Sequence, residues 1–548
     1  MLNENFVRYI EDSLRKNWDL PALNDYGGES FKYGDVAAQI IRLHELMKQS
    51  GVNQQDKVAL VGKNSARWCM TYLAILSYGA VVVPVLPDFK PDDLHHILSH
   101  SDAILLFADD FIAKAVDTKQ VPAIRGIMDI HDYQLVYFAD EKMKNAHAAF
   151  SLPRPADVPV VKPETLVFPL VPNEQLAVIS YTSGTAGFVK GVMLQHNSLA
   201  ANMRFARENM PLKAGDSIVS FLPLAHAFGA AFEFLFPFTL GCNITILTKT
   251  PSPQIVMQAF QEVKPSLVLS VPLVIEKIFK KQIQPVISKW YMKVLLAIPG
   301  VKNKIHATIK AKLVTAFGGN FHEIVIGGAP FNKQVERFFR KIGFPFTVGY
   351  GMTECGPLIS YIGWQKTQIG SSGKIVDTLQ LKIDSVDPQN VVGEIMVKGD
   401  NVMLGYYKNP ELTAEIIDAN GWMHTGDLGL VDENGLIYIK GRSKSMILGP
   451  NGKNIYPDEI ENRFNNRHGV GESLIVNRGD KLVALIYPDQ DVVAKEKLSR
   501  DDLVKLFEHH RKAVNHQVPH FISIAQVEIQ EKEFAKTPKR SIKRFLYS

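Results

Sequence analysis

A chain of 548 residues is too long for a single hydrophobic core and divides into several domains. Its net charge of +5 is too dilute to argue for nucleic acid, and no basic stripe interleaved with aromatic residues occurs; only the last residues are basic as a block. Cys69, Cys242 and Cys355 lie far apart without disulfide or zinc spacing, which suits a soluble enzyme in a reducing cytoplasmic setting.

The chain opens on an amphipathic helix, "MLNENFVRYIEDSLRKN", that lacks the apolar core of an export signal. Residues 36–110 then alternate helical runs such as "VAAQIIRLHELMKQ" and "ARWCMTYLAILSYG" with the extended runs "KVALVG", "AVVVPV" and "AILLFA". Fully apolar strands separated by helices predict an α/β fold with a parallel sheet covered on both faces. The apolar run from Tyr72 to Leu86 is broken by Ser77, Gly79 and Pro84, and so reads as a helix followed by a buried strand, without a membrane span.

Directly after the apolar run Leu176 to Ile179 comes "YTSGTAGFVKG", residues 181–191, which packs three aliphatic hydroxyl residues, three glycines and a lysine into one loop. Glycines let backbone N–H groups converge on an anion that a lysine neutralises, so a nucleotide phosphate is the first candidate and a plain Gly/Ser turn the second. A Walker A loop is excluded, because Lys190 is followed by Gly191 and a strand, "VMLQ", with the next helix starting near Asn197 and Ser198. The strands "SIVSFLPL", "NITILTK", "PSLVLSVP" and "HEIVIGGAP" follow, separated by helical runs. From about residue 371 short strands and turns predict a small β-rich subdomain, and a boundary after Arg442 gives domains at 1–442 and 443–548.

Several segments together resemble the adenylate-forming superfamily of acyl-CoA synthetases, peptide adenylation domains and luciferases. The 181–191 loop is similar to that family's phosphate loop, with Ala186 and Val189 in place of the usual Thr and Pro; "GYGMTECG" resembles its adenine and magnesium motif, "GWMHTGDLG" its ribose motif, and "GRSKSMILGPNGKNIYPDEIE" its hinge. The resemblance implies stacked mixed and parallel sheets flanked by helices, then a smaller, mobile α+β C-terminal domain. It implies ATP, Mg2+ and coenzyme A as reactants, with a small-molecule carboxylic acid.

By that likeness Thr182, Ser183, Gly184, Thr185, Gly187 and Lys190 would cradle the outer phosphates, Thr353 the α-phosphate, and Glu354 the metal, since magnesium takes one or two carboxylates plus phosphates and water. Gly328, Ala329, Pro330, Tyr350 and Gly351 would line the adenine pocket, with Tyr350 stacking on the base. Asp427, read as lying in the turn "HTGDLG", would accept both ribose hydroxyls, and Arg442 would hold the ribose from the hinge side. Lys444 matches the hinge, and Gly449 and Gly452 would approach the pantetheine arm. Each has a plainer alternative: a solvated Glu354, a core Tyr350, an Asp427 that only caps its turn.

One departure matters. The family places a catalytic lysine near the C-terminus, where this tail, "KTPKRSIKR", has Ser541. Lys539 and Lys543 flank it on the same side of an extended segment, so either would substitute after a small shift, or the tail is only a solvated basic end. "FLPLAHAFGAAFEFLFPFTLG" resembles the acyl-pocket motif, with His226 as a gating or buried structural residue and Phe228, Phe232 and Phe236 favouring a hydrocarbon tail. The stretch from "VPLVIEKIFKK" through "WYMKVLLAIPG" looks like the insertion of the long-chain fatty acyl branch; around 290–300 it reads as a tunnel or core helix, with peripheral membrane contact the alternative. The implied activity is fatty acid–CoA ligation through an acyl-adenylate. Loading of an acyl carrier protein, and a weakened acyl or nucleotide sensor, are the other readings; no nucleic-acid partner is expected.

Overall fold

The computed structural model describes residues 2–151, 161–183, 189–249, 251–448, 454–479, 481–519, 522–536 and 542–547. The expected apolar strands form the middle of an eight-stranded sheet. Lys57–Val61 lies between Val81–Val85 and Ala103–Ala108, all parallel, and parallel pairing continues outward to Leu176–Ser183 on one side and Gly126–Asp129 on the other. Val58, Leu60 and Val82 pack into one hydrophobic cluster and Ala59, Val61, Val81 and Val83 into another, so alternate side chains bury both faces. The sheet is mixed, in keeping with the expected mixed and parallel sheets. Leu135–Phe138, Val189–Gln195 and Gly405–Tyr406 pair antiparallel at its edges; the first two follow their partner strands through short hairpin connections, while Gly405–Tyr406 arrives from about two hundred residues away in the sequence.

A second sheet runs Ser217–Ser220, Asn243–Ile246, Pro21–Asp25, Ser30–Lys32, and a third, all parallel, joins Leu267–Ser270, Glu323–Ile326 and Phe346–Val348. The β-rich unit is a four-stranded antiparallel sheet of Leu379–Asp384, Gly393–Gly399, Met423–Val431 and Ile437–Arg442. Beyond it, the strands Val470–Arg478, Lys481–Pro488 and Ile524–Ile529 and the helices Pro457–Asn465 and Arg500–Asn515 enclose a core of their own around Phe464, Leu482, Ile486 and Phe507. Among the described residues no helix is long and apolar enough to cross a membrane.

His196 opens the helix His196–Asn209 with no exposed surface and with both ring nitrogens unpartnered. Burial lowers its pKa to about 3, and that of buried His44 to about 4. A base whose folded pKa is depressed adds stability above its ordinary value near 6.5 and loses it as the pH falls toward the folded value. Replacing His196 by leucine is therefore expected to flatten the fall in denaturant midpoint between pH 6.5 and pH 4; parallel curves for variant and parent would refute this.

Candidate functional site

The hairpin that carries the glycine-rich loop is built as strand, loop, strand. Thr182 sits opposite Lys190 and Ser183 opposite Val189, so the loop is presented at the end of two paired strands. Gly184, Thr185 and Gly187 lie outside the described residues. The Lys190 ammonium rests 4.9 Å from the centre of the Tyr406 ring. Burial, and next the Lys444 ammonium, pull its pKa below the usual lysine value, while Glu354 acts in the opposite sense. Lys190, Glu354 and Lys444 thus share one electrostatic neighbourhood.

Glu354 is held by the single turn Thr353–Cys355. Its backbone carbonyl accepts from Met403 N–H at 2.8 Å, and its Oε1 accepts from the Tyr406 hydroxyl at 2.9 Å. Burial and the adjacent carboxylate push the Tyr406 phenol far up, so it stays protonated and donates. The turn follows a tight approach at Gly351, where a Cβ would stand 2.2 Å from the Pro357 carbonyl oxygen.

Asp427 lies in the strand Met423–Val431, a correction to its expected place in a turn. Gly426 takes a φ of +71°, which L side chains avoid, and its N–H donates to Glu394 Oε1 at 2.9 Å, so the glycine kinks a strand that continues past it. Met423, Thr425 and Asp427 alternate inward, leaving Asp427 only 5 % exposed. Its Oδ2 accepts from the Tyr350 hydroxyl at 2.7 Å and its Oδ1 from Arg442 Nε at 3.1 Å, the two residues being cross-strand partners. Burial raises the Asp427 pKa, Arg442 and Tyr350 pull it down, and Asp458 and Glu354 push it up. Tyr350 is buried, with its hydroxyl committed to this carboxylate.

Gly328, Ala329 and Pro330 form an exposed loop beyond the strand Glu323–Ile326, beside Tyr350 and Gly351 because Gly349 N–H donates to Ile326 O at 2.9 Å. Gly328 takes a φ of +85°. Gly449, Gly452, Lys539 and Ser541 lie outside the described residues. Lys543 is half-buried, its N–H donating to Ala535 O at 2.8 Å. One residue on, Arg544 pairs with Asp458 at 2.6 Å and with Glu461, and Asp458 Oδ2 stands 3.5 Å from the point where Gly441 would carry a Cβ. These ion pairs tie the described end of the C-terminal tail to the helix Pro457–Asn465, and Asp458 lies near enough to Asp427 to raise its pKa.

A narrow apolar cavity opens beside Gly356, with Tyr72, Val178, Leu199, Ala230 and Ala231 in its walls. His226 is half-buried at the start of the helical stretch 227–240, and its neighbours Ala225 and Ala227 both line the cavity, which puts it at the rim. The phenylalanines behave differently. Phe232 and Phe236 are fully buried in the core, and Phe228 packs on Phe232 and against Gly327. Positions 227, 230 and 231 share one helix face and 228 and 232 another, so alanines, not phenylalanines, make the room.

Tyr406, Asp458 and Arg544 escaped the sequence reading. A glycine followed by two tyrosines in "LGYYKNP" is the one local hint, and it says nothing of a partner strand two hundred residues away.

The AMP-binding enzyme family matches residues 10–407, and an AMP-binding enzyme C-terminal domain matches 444–547. A long-chain-fatty-acid–CoA ligase of Escherichia coli is 30 % identical, over 86 % of this chain and 82 % of its own. The long-chain-fatty-acid–CoA ligase FadD15 of Mycobacterium bovis is 28 % identical, over 90 % and 86 %. Among solved structures, ATP-bound MatB from Rhodopseudomonas palustris shares the fold with a TM-score of 0.78 at 20 % identity, covering 100 % of this chain and 98 % of that one. With more than two thirds of its length matched, the chain belongs to the AMP-binding enzyme family, the adenylate-forming enzymes.

Proposed function

We propose that the protein ligates a medium- or long-chain fatty acid to coenzyme A through an acyl-adenylate. The observation that carries this reading is the run of apolar wall residues beside Gly356, the residue that follows the turn holding Glu354; as it stands the space between them admits little more than a water molecule, so a hydrocarbon tail would enter as the walls part. A hydrocarbon tail in the cavity would leave its carboxylate at the rim, near His226 and Thr353. Each buried methylene is worth about 0.8 kcal/mol, which holds a chain but separates lengths poorly. Relatives named as long-chain-fatty-acid–CoA ligases support the choice of acid.

In this reading the carboxylate oxygen bonds to the α-phosphorus as the bond to the bridging oxygen breaks, and pyrophosphate leaves. Thr182, Ser183, Gly184, Thr185, Gly187 and Lys190 would hold the outer phosphates, Thr353 the α-phosphate, Asp427 and Arg442 the ribose, and Tyr350, Gly351 and the 328–330 loop the adenine side. Glu354 fits a magnesium ion as a lone carboxylate backed by a phenol. A magnesium ion held by one carboxylate would complete its shell with phosphate and water. When bound, that ion would neutralise phosphate charge. The thiol of coenzyme A then displaces AMP from the acyl carbonyl, after a rotation of residues 443–548 about Lys444 that brings Gly449 and Gly452 to the pantetheine.

The ion pairs of Arg544 with Asp458 and Glu461, which anchor residues 542–547 to the helix Pro457–Asn465, favour a working tail over a dead one. Acid-dependent exchange of pyrophosphate into ATP, run on acids from acetate to stearate and on benzoate, tests the function. Exchange is expected with the longer acids, and Lys539→Ala or Lys543→Ala is expected to cost roughly 10²–10³ in rate. No exchange with any acid would leave the sensor reading; exchange untouched by both lysine changes would refute the tail's role. Thioester formed with a carrier protein and not with coenzyme A would move the reading to acyl loading.

A further inference from the structure

The segment after the strand Leu267–Ser270 is chemically unlike the rest of the chain. From Lys277 to His322 it holds nine lysines and no aspartate or glutamate, so against a whole-chain charge of +5 the remaining residues are net negative by four. The expectation of a tunnel or core helix around 290–300 is not met. Trp290 is 78 % exposed, Val294 56 % and Ile298 46 %, and Val286, Tyr291 and Leu295 are also exposed. These side chains lie on and around the short helix Trp290–Leu295, with Lys289 before it and Lys302 and Lys304 at the start of the helix Pro299–Ala316. Water-facing Trp and aliphatic residues set among lysines have the composition of an interfacial element.

We propose that residues 286–304 dock the protein on an anionic lipid bilayer, the apolar side chains entering the headgroup boundary and the lysines pairing with lipid phosphates. Charge complementarity selects this occupant. A second copy would bring two lysine-rich, acid-free faces together, and a neutral surface would leave the lysines without a counter-charge. The segment leaves the fold beside the 328–330 loop: a Cβ on Gly328 would stand 3.9 Å from Val271, the residue before the helix Pro272–Ile278. Docking would therefore set the nucleotide and acyl side of the molecule close to a reservoir of apolar acids. None of the residues involved belongs to the candidate site, so the proposal stands apart from the ligase reading.

The test is sedimentation of the full chain with vesicles of phosphatidylcholine alone or with about one third phosphatidylglycerol, at low and high salt. The parent is expected to pellet with the anionic vesicles at low salt and to be released by high salt. Trp290→Ala combined with Val294→Ser and Ile298→Ser is expected to lower the partition coefficient at least roughly tenfold. Lys289→Gln combined with Lys302→Gln and Lys304→Gln is expected to lower it on the order of a hundredfold, both variants keeping the parent's circular dichroism and AMP affinity. No pelleting by the parent, equal pelleting with neutral vesicles, or unchanged binding by both variants would overturn the proposal. A dimer in ultracentrifugation that the Trp290 variant dissolves, without vesicle binding, would assign the surface to self-association. Vesicle binding without any ligase activity would leave this inference standing and remove only the proposed function.

Discussion

Asp427→Ala is expected to lower AMP affinity by roughly two to three orders of magnitude, about 3–4 kcal/mol, in calorimetric titration. The carboxylate is almost fully buried, yet it already holds two donors, the Tyr350 hydroxyl at 2.7 Å and Arg442 Nε at 3.1 Å. Truncation removes the acceptor for the ribose hydroxyls and also leaves the buried phenol without its partner, the more costly half of the change. Arg442 is two-thirds exposed and so loses little by itself, because water replaces the partner it loses. Asp427→Asn separates the two parts: the amide oxygen still accepts from Tyr350, so its affinity should fall between those of the alanine variant and the parent. AMP binding by the alanine variant within threefold of the parent would remove Asp427 from the nucleotide site.

The features legible in the sequence are those whose cause is local. Lys57–Val61, Val81–Val85 and Ala103–Ala108 read as buried parallel strands because both faces are apolar, and the hairpin around the glycine-rich loop reads from its turn chemistry. Pro21–Asp25 does not, since its place in a sheet is set by pairing with Asn243–Ile246, more than two hundred residues away. Asp427 looked like a turn residue because Gly426 and Gly429 punctuate it. The structure needs Gly429 for contact instead: a Cβ there would stand 2.8 Å from the Tyr438 carbonyl oxygen of the neighbouring strand. Tyr406 reaches Glu354 only because a two-residue strand, Gly405–Tyr406, pairs with Val192 and Met193 on the edge of the main sheet. Phe232 and Phe236 were legible as apolar, but which helix face meets the cavity was settled by packing.

Glu354→Gln is expected to reduce acid-dependent pyrophosphate exchange roughly 10²–10³-fold while leaving metal-free AMP binding within about threefold, the reverse of the pattern at Asp427. The amide keeps the shape of the side chain and still accepts from the Tyr406 hydroxyl, so the turn Thr353–Cys355 should persist, anchored by Met403 N–H on the Glu354 carbonyl. What disappears is the negative charge that Lys190 and Asp427 both sense. A carboxylate whose work is to hold magnesium against the phosphates is needed when ATP charge must be neutralised, and hardly at all when AMP binds alone. Raising magnesium should therefore recover part of the lost exchange. Tyr406→Phe leaves the charge and removes one hydrogen bond, so its cost should be about 1 kcal/mol, less than tenfold in rate. If Glu354→Gln exchanges pyrophosphate within tenfold of the parent at limiting magnesium, the metal role passes to another group, and Glu354 serves only to pin Tyr406 beneath the Lys190 ammonium.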